Sequence, residues 1–179
     1  MNGENAITQE KGVFSRQFAI WAELIKLRLT TMVLMTTAMG FYLASAQTFD
    51  WRLLLHALFG TGILACGAAA LNQYIEKDFD SRMPRTANRP VPSGKITPES
   101  ALLAGGAMAA IGLIYLAQTV NLITSVIGAV TLISYIAVYT PLKRVTSLNT
   151  LVGAIPGALP PLMGWTAATG RDGTIGPEG

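Results

Sequence analysis

Charged residues are unevenly distributed along the chain, and long apolar stretches separate them. No Asp, Glu, Lys or Arg lies between Glu99 and Lys143, and none lies between Arg144 and Arg171. About 20 consecutive apolar residues are enough for a helix to cross a bilayer. The pattern therefore predicts five membrane-spanning helices, at roughly 29–46, 53–71, 101–118, 122–139 and 148–169.

Composition supports this assignment. Hydrophobic residues make up 51% of the 179-residue chain, charged residues only 13%, and the mean hydropathy is +0.44. Soluble domains carry about 25% charge, and their surface helices have a polar face that these stretches lack. Since helices satisfy their own backbone inside a bilayer, we expect an all-α integral membrane protein. Cys66 is the only cysteine, which excludes a disulfide framework.

Basic residues indicate how the chain is oriented. With the N-terminus in the cytoplasm, every Lys and Arg except Arg52 and Arg171 falls on the cytoplasmic side, as the positive-inside rule requires. The first residues lack the apolar core of a signal peptide, which favours a bacterial plasma (inner) membrane. We expect a cytoplasmic tail over 1–20, a transmembrane domain over 21–170 and an external tail or truncated loop over 171–179.

The predicted connection between the second and third spans, over 72–100, is the most highly charged part of the chain. If the second helix continues past the membrane, Asn72, Glu76 and Asp80 lie on one face. Stacked carboxylates repel each other unless a cation lies between them, and Mg²⁺ binds one or two carboxylates together with substrate phosphates. Arg85 and Arg89 follow, and arginine pairs with phosphate oxygens. The spacing favours a metal–diphosphate site; a solvated loop with balanced charges is the alternative.

Two further features have less specific interpretations. The fifth predicted span contains three prolines, which kink a membrane helix and free backbone carbonyls; we favour a packing role over a ligand cavity. His56 is the only histidine. It lies near the outer end of the second span, far from the acidic residues, so we expect an interfacial packing residue rather than a haem ligand.

The charged segment resembles the UbiA superfamily of intramembrane prenyltransferases. The pattern Asn72-x-x-x-Glu76-x-x-x-Asp80 is similar to the first acidic motif of that superfamily. Four stretches of the chain resemble one branch of that superfamily, the protohaem IX farnesyltransferases or haem O synthases. These stretches are Lys26-x-Arg28, Met83-x-Arg85-Thr86-x-x-Arg89-Pro90, Tyr139-Thr140-x-Leu142-Lys143-Arg144 and Pro160-Pro161-x-x-Gly164-Trp165. Glu76 stands where many members have Asp, and Leu27 replaces a proline between Lys26 and Arg28.

This resemblance implies an activity and a set of site residues. The substrates would be haem B and farnesyl diphosphate, with Mg²⁺ as cofactor, and the product would be haem O for haem-copper oxidases. The metal ligands and catalytic residues would be Asn72, Glu76 and Asp80. The diphosphate would be bound by six basic residues: Lys26, Arg28, Arg85, Arg89, Lys143 and Arg144.

The resemblance also implies that the chain is incomplete. The family has about nine spans and a second acidic motif in a later loop, so this chain would be the first part of the bundle, with half an active site. A haem A synthase or an oxidase assembly protein is the implied partner, besides the lipid bilayer, and no nucleic acid is expected. Two alternatives stay open: a UbiA-type enzyme that prenylates a quinone precursor, and a non-catalytic membrane fragment.

Overall fold

A computed structural model describes residues 17–45, 49–142 and 149–170, and all regular structure in these ranges is helical. The first helix, α1, covers 17–24 of the described residues. Six elements follow it: α2 (Leu27–Ala44), α3 (Trp51–Asp80), α4 (Pro98–Thr119), α5 (Leu122–Ile133), a short α6 (Thr140–Leu142) and α7 (Asn149–Thr169). A π-helical segment, Ser134–Tyr139, joins α5 to α6 without a break.

The all-helical membrane fold is confirmed. Within the described residues, four helical stretches are long and apolar enough to cross a bilayer: Leu27–Ala44, Trp51–Asp80, Pro98–Thr119 and Leu122–Leu142. The fifth predicted span corresponds to α7, a 21-residue helix with three internal prolines that packs against α2. Large apolar side chains such as Met35, Leu103 and Ile133 are exposed on the outer faces, as expected for helices surrounded by lipid.

The connection between α3 and α4 is shorter than the predicted 72–100. Helix α3 has 30 residues, which at 1.5 Å per residue is about 45 Å, against roughly 30 Å of hydrocarbon. Its last turns therefore extend beyond the apolar layer and carry residues 72–80, so the connection covers only 81–97. In this connection Val91 and Ile96 are buried against Leu24, Ala70 and Ala101, and this small core fixes the loop against α1, α3 and α4.

Close backbone approaches hold the helices together. Helices α3 and α4 cross where a Cβ on Gly67 would lie 2.7 Å from the backbone of Gly105 and Ala109. Helices α2 and α7 cross where a Cβ on Gly164 would overlap the carbonyl oxygen of Thr37. Small residues permit such contacts between membrane helices, and the second crossing places α7 along one side of the interior.

Candidate active site

The predicted acidic face exists and is buried. Because α3 remains helical through Asp80, the side chains of Asn72, Glu76 and Asp80 follow one another along a single face, with exposures of 1%, 1% and 5%. The amide Nδ2 of Asn72 donates to Glu76 Oε2 at 2.9 Å. Two carboxylates so close together in a buried position repel each other strongly unless positive charge lies nearby.

Arg89 provides that charge. Its Nη1 donates to Asp80 Oδ2 at 2.6 Å and lies 3.8 Å from Glu76 Oε2. The loop is held in place for this contact because Thr86 Oγ1 donates to the backbone oxygen of Asp80 at 3.0 Å and because Pro90 is fully buried. The arginine side chain remains 28% exposed, so it could also reach an anion that approaches from the loop side.

A second polar contact comes from the end of the π-helical segment. Thr140, which is fully buried, places its hydroxyl 3.1 Å from Asn72 Oδ1 and 2.8 Å from the backbone oxygen of Tyr135. The Asn72 amide is therefore held at both ends, by Thr140 and by Glu76. One turn away, the rings of Tyr135 and Tyr139 stack with centroids 5.8 Å apart.

The other predicted diphosphate-binding residues differ in their positions. Arg85 lies exposed on the same loop as Arg89, and Arg28 is exposed at the start of α2. Lys26 is half-buried at the break between α1 and α2, where its φ of 48° places it in the left-handed region. Lys143 and Arg144 lie outside the described residues, as does residue 171.

The break between α1 and α2 is tied to the acidic end of α3. Gln73 is buried, and its Nε2 donates to the backbone oxygens of Glu23 at 3.3 Å and Leu24 at 3.2 Å. Lys26 lies two residues beyond this contact. The N-terminal basic residues are therefore held at the same end of the bundle as the acidic face.

An apolar cavity lies directly beneath the acidic face. It has a volume of about 330 Å³ and is lined by residues of α2, α3, α5, the π-helical segment and α7. Ala68 and Ala69, one turn before Asn72, line the end nearest the acidic residues, and Tyr139 lines the same end. Small-molecule pockets typically have volumes of about 300–1,000 Å³. The arrangement suits a ligand with a charged head and an apolar tail.

The donor set of the acidic face fits a hard divalent cation. The two carboxylates and the Asn72 amide oxygen are the ligand types that Mg²⁺ accepts, and Mg²⁺ usually completes its shell with water and substrate phosphate. Within the described residues no group of three or more His, Cys, Asp or Glu side chains is found. Two carboxylates are nevertheless enough for a site that shares the ion with a diphosphate.

Sequence reasoning did not assign a role to Thr140 or to the tyrosine pair. Thr140 lies 68 residues from Asn72 in sequence, and no local spacing rule connects the two. The available signal was that Tyr139 and Thr140 belong to the stretch that resembles the family and precede the basic pair Lys143 and Arg144 by a few residues.

The comparison with known families agrees with this architecture. The model of the UbiA prenyltransferase family matches residues 33–176. That match covers most of the chain, and the chain therefore belongs to the UbiA prenyltransferase family. Among solved structures, a chain from work on digeranylgeranylglyceryl phosphate synthase has a TM-score of 0.75 at 18% identity, covering 85% of this chain and 53% of that one; this likeness concerns the fold alone.

Three curated relatives named protoheme IX farnesyltransferase are similar to most of the chain. The chain is 45% identical over 159 residues to the protoheme IX farnesyltransferase of Solibacter usitatus, a match that covers 84% of this chain and 54% of the relative. It is 46% identical over 151 residues to the mitochondrial protoheme IX farnesyltransferase of Homo sapiens, covering 84% of this chain and 34% of the relative. The bacterial relative from Myxococcus xanthus is 47% identical, with 83% and 50% covered. The chain thus spans about half the length of the bacterial relatives it matches.

Proposed function

We propose that the protein transfers the farnesyl group of farnesyl diphosphate to a vinyl group of haem B, forming haem O for haem-copper oxidases. The observation that carries the proposal is the buried column of Asn72, Glu76 and Asp80 at the mouth of an apolar cavity. The names of the curated relatives supply the identity of the two substrates. A haem A synthase or an oxidase assembly protein would receive the product.

The chemistry begins with heterolysis of an allylic carbon–oxygen bond. The diphosphate leaves with the bonding electron pair, and negative charge develops on its oxygens. When bound at Asn72, Glu76 and Asp80, Mg²⁺ would neutralise part of that charge. Arg89, whose guanidinium already lies at Asp80, would bind diphosphate oxygens, as would Arg85, Lys26, Arg28, Lys143 and Arg144. Fixed cations that face the developing charge lower the barrier because they need no reorganisation.

The apolar cavity has two functions in this scheme. Burial of the prenyl tail contributes about 0.8 kcal/mol per CH₂, and exclusion of water protects the allylic cation from hydrolysis. The vinyl π electrons of haem B then form a carbon–carbon bond to the farnesyl C1 carbon. The new cation next to the porphyrin takes up water and loses a proton, which gives the hydroxyethylfarnesyl product.

Removal of one carboxylate tests the assignment. In membranes that contain the natural gene product, Asp80→Ala should abolish Mg²⁺-dependent formation of haem O, because the metal loses a ligand and Arg89 loses its partner. Membrane insertion should not change. Haem O is measured by mass spectrometry after haem B and farnesyl diphosphate are supplied, and a parallel sample with a quinone-ring acid separates the two prenyltransferase alternatives. Normal turnover by Asp80→Ala would refute the metal site.

We further propose that the protein lies in a bacterial plasma (inner) membrane with its N-terminus and the 81–97 loop in the cytoplasm. The distribution of basic residues supports this orientation. In a Cys66→Ala background, Arg85→Cys on the loop should react with an impermeant thiol reagent only in inside-out vesicles, and Arg52→Cys only in right-side-out vesicles. The reverse pattern would invert the topology.

A further inference from the structure

The corner between α1 and α2 has an uncommon backbone conformation at a predicted diphosphate-binding residue. Lys26 has φ 48° and ψ 57°, in the left-handed region, and it is the only non-glycine residue with a positive φ in the described ranges. Helices often end in this conformation, but glycine usually occupies the position because a Cβ is disfavoured there. Strained residues of this kind persist where the surrounding structure holds them, and they cluster at functional sites.

Two side chains bond the carbonyl groups that the break between the helices leaves open. The last carbonyls of a helix have no partner within it. Gln73 on α3 donates from Nε2 to the backbone oxygens of Glu23 at 3.3 Å and Leu24 at 3.2 Å. Thr30 donates from Oγ1 to the backbone oxygen of Ile25 at 3.0 Å. These contacts fix the three residues immediately before the left-handed lysine.

Gln73 connects this corner to the helix that carries the acidic face. It follows Asn72 in sequence but lies about 100° further around α3, and it is 1% exposed. Its contacts with the corner span 49 and 50 residues. Its Oε1 is buried without a hydrogen-bond partner, which costs free energy that an apolar residue of similar length would not incur. The value of the amide at this position therefore lies in its two N–H groups, each of which can bond one carbonyl.

The corner also borders the other parts of the candidate site. Leu24 is fully buried in the small core that it forms with the 81–97 loop, the loop that carries the arginines. Leu29 lines the apolar cavity and also a groove that Lys26 and Arg28 border. A rotation of the corner would therefore move the lysine relative to the loop, the cavity and the acidic face together.

We propose that Gln73 is a positioning residue that holds Lys26 in the left-handed conformation, so that the lysine ammonium is placed to bind the diphosphate of the prenyl donor. This inference rests on the proposed function and deepens it. Gln73 acts through the backbone of residues 23 and 24 and does not touch the substrate. Without its two bonds the corner can relax to a common conformation, and the lysine moves away from the diphosphate. The loss should therefore fall on the binding of farnesyl diphosphate, and it should require the lysine.

A double-mutant cycle tests the proposal. Haem O formation is measured in membranes that contain the natural gene product, with Mg²⁺ present and each substrate varied in turn. Gln73→Met keeps the length of the side chain and removes both donors, and it should raise KM for farnesyl diphosphate roughly tenfold while KM for haem B stays unchanged. Lys26→Met should have a similar effect, and the double variant should be no worse than Lys26→Met alone, because residues that act as one unit are not additive. Gln118→Met is the matched control, since Gln118 is exposed at the far end of α4.

Each outcome has a definite meaning. Additive effects of Gln73→Met and Lys26→Met overturn the inference, and so does an equal rise in KM for both substrates, which a merely structural role would produce. If Gln73→Met does not fold, Gln73→Asn, which keeps the amide on a shorter side chain, must show a rise in KM that depends on Lys26 for the inference to stand. An unchanged KM in Lys26→Met overturns this inference alone. A wild-type protein that forms no haem O refutes the proposed function, and this inference with it.

Discussion

The ion pair at Arg89 leads to a quantitative prediction about stability. Arg89→Gln removes the cation that lies 2.6 Å from Asp80 and 3.8 Å from Glu76. At an effective dielectric constant near 20, two unit charges 3.8 Å apart interact by roughly 4 kcal/mol. Removal of one partner from a buried pair typically costs about 3–5 kcal/mol. Because the arginine is 28% exposed, we expect the lower end, about 3 kcal/mol.

The chain has a built-in reporter for this measurement. Cys66 is the only cysteine and is half-buried in α3, so a thiol-reactive fluorescent dye reports unfolding of the purified protein in detergent. A loss of about 3 kcal/mol should lower the melting temperature by roughly 10 °C. Arg85→Gln is the matched control, because it removes the same charge from an exposed position on the same loop; its effect should be within about 0.5 kcal/mol.

Magnesium adds a second test to the same experiment. Without Arg89, the two carboxylates keep their mutual repulsion, and a divalent cation would replace the lost charge. Added Mg²⁺ should therefore raise the melting temperature of Arg89→Gln more than that of the wild type, by the usual linkage between binding and stability. Equal melting temperatures for Arg89→Gln and Arg85→Gln would refute the account of the ion pair. Equal Mg²⁺ shifts in variant and wild type would refute the metal site.

Two further stability predictions use the same dye. Gly67→Ala places a methyl group 2.7 Å from the backbone of α4 and should lower the free energy of unfolding by about 1–3 kcal/mol. Gly106→Ala, whose methyl group meets nothing within 4 Å, should change it little. Equal effects of the two substitutions would contradict the crossing geometry. Thr140→Val removes a hydroxyl whose single proton is shared between Asn72 Oδ1 and the Tyr135 carbonyl oxygen, and it should cost about 1–3 kcal/mol. Exposed Thr31→Val should have a small effect. A neutral Thr140→Val would show that the shared contact contributes nothing.

Much of the helical architecture could be predicted from the sequence because hydropathy acts locally. Apart from the end of α3, the predicted spans correspond to the helices within a few residues. The spacing of Asn72, Glu76 and Asp80 indicates a common face once helix continuation is assumed. The predicted connection over 72–100 joined two membrane spans, and its first nine residues form the last turns of α3. Helix α3 continues in polar sequence since its last turns pack against α1, α4 and the loop.

The long-range contacts of the site could not be predicted in this way. Thr140 reaches Asn72 across 68 residues, and no periodicity within either segment encodes that distance. Arg89 could be predicted as an anion-binding residue from its position after the acidic face. Its ion pair with Asp80 depends on how the loop folds back, which is set by Thr86 and Pro90. The roles of all these residues in turnover remain predictions.

The π-helical segment at Ser134–Tyr139 makes the site sensitive to the helical form of a stretch that supplies none of the predicted metal ligands. A π-helical turn accommodates one more residue than an α-helical turn, and the hydroxyl of Thr140 bonds five residues back to Tyr135 as a result. If the same six residues adopted an ordinary α-helix, everything after them would rotate by about 100°. Thr140 would then face away from Asn72. Deletion of one residue together with the loss of the π-helical turn would nearly cancel that rotation, so the number of residues in this stretch and the helical form they adopt must match each other.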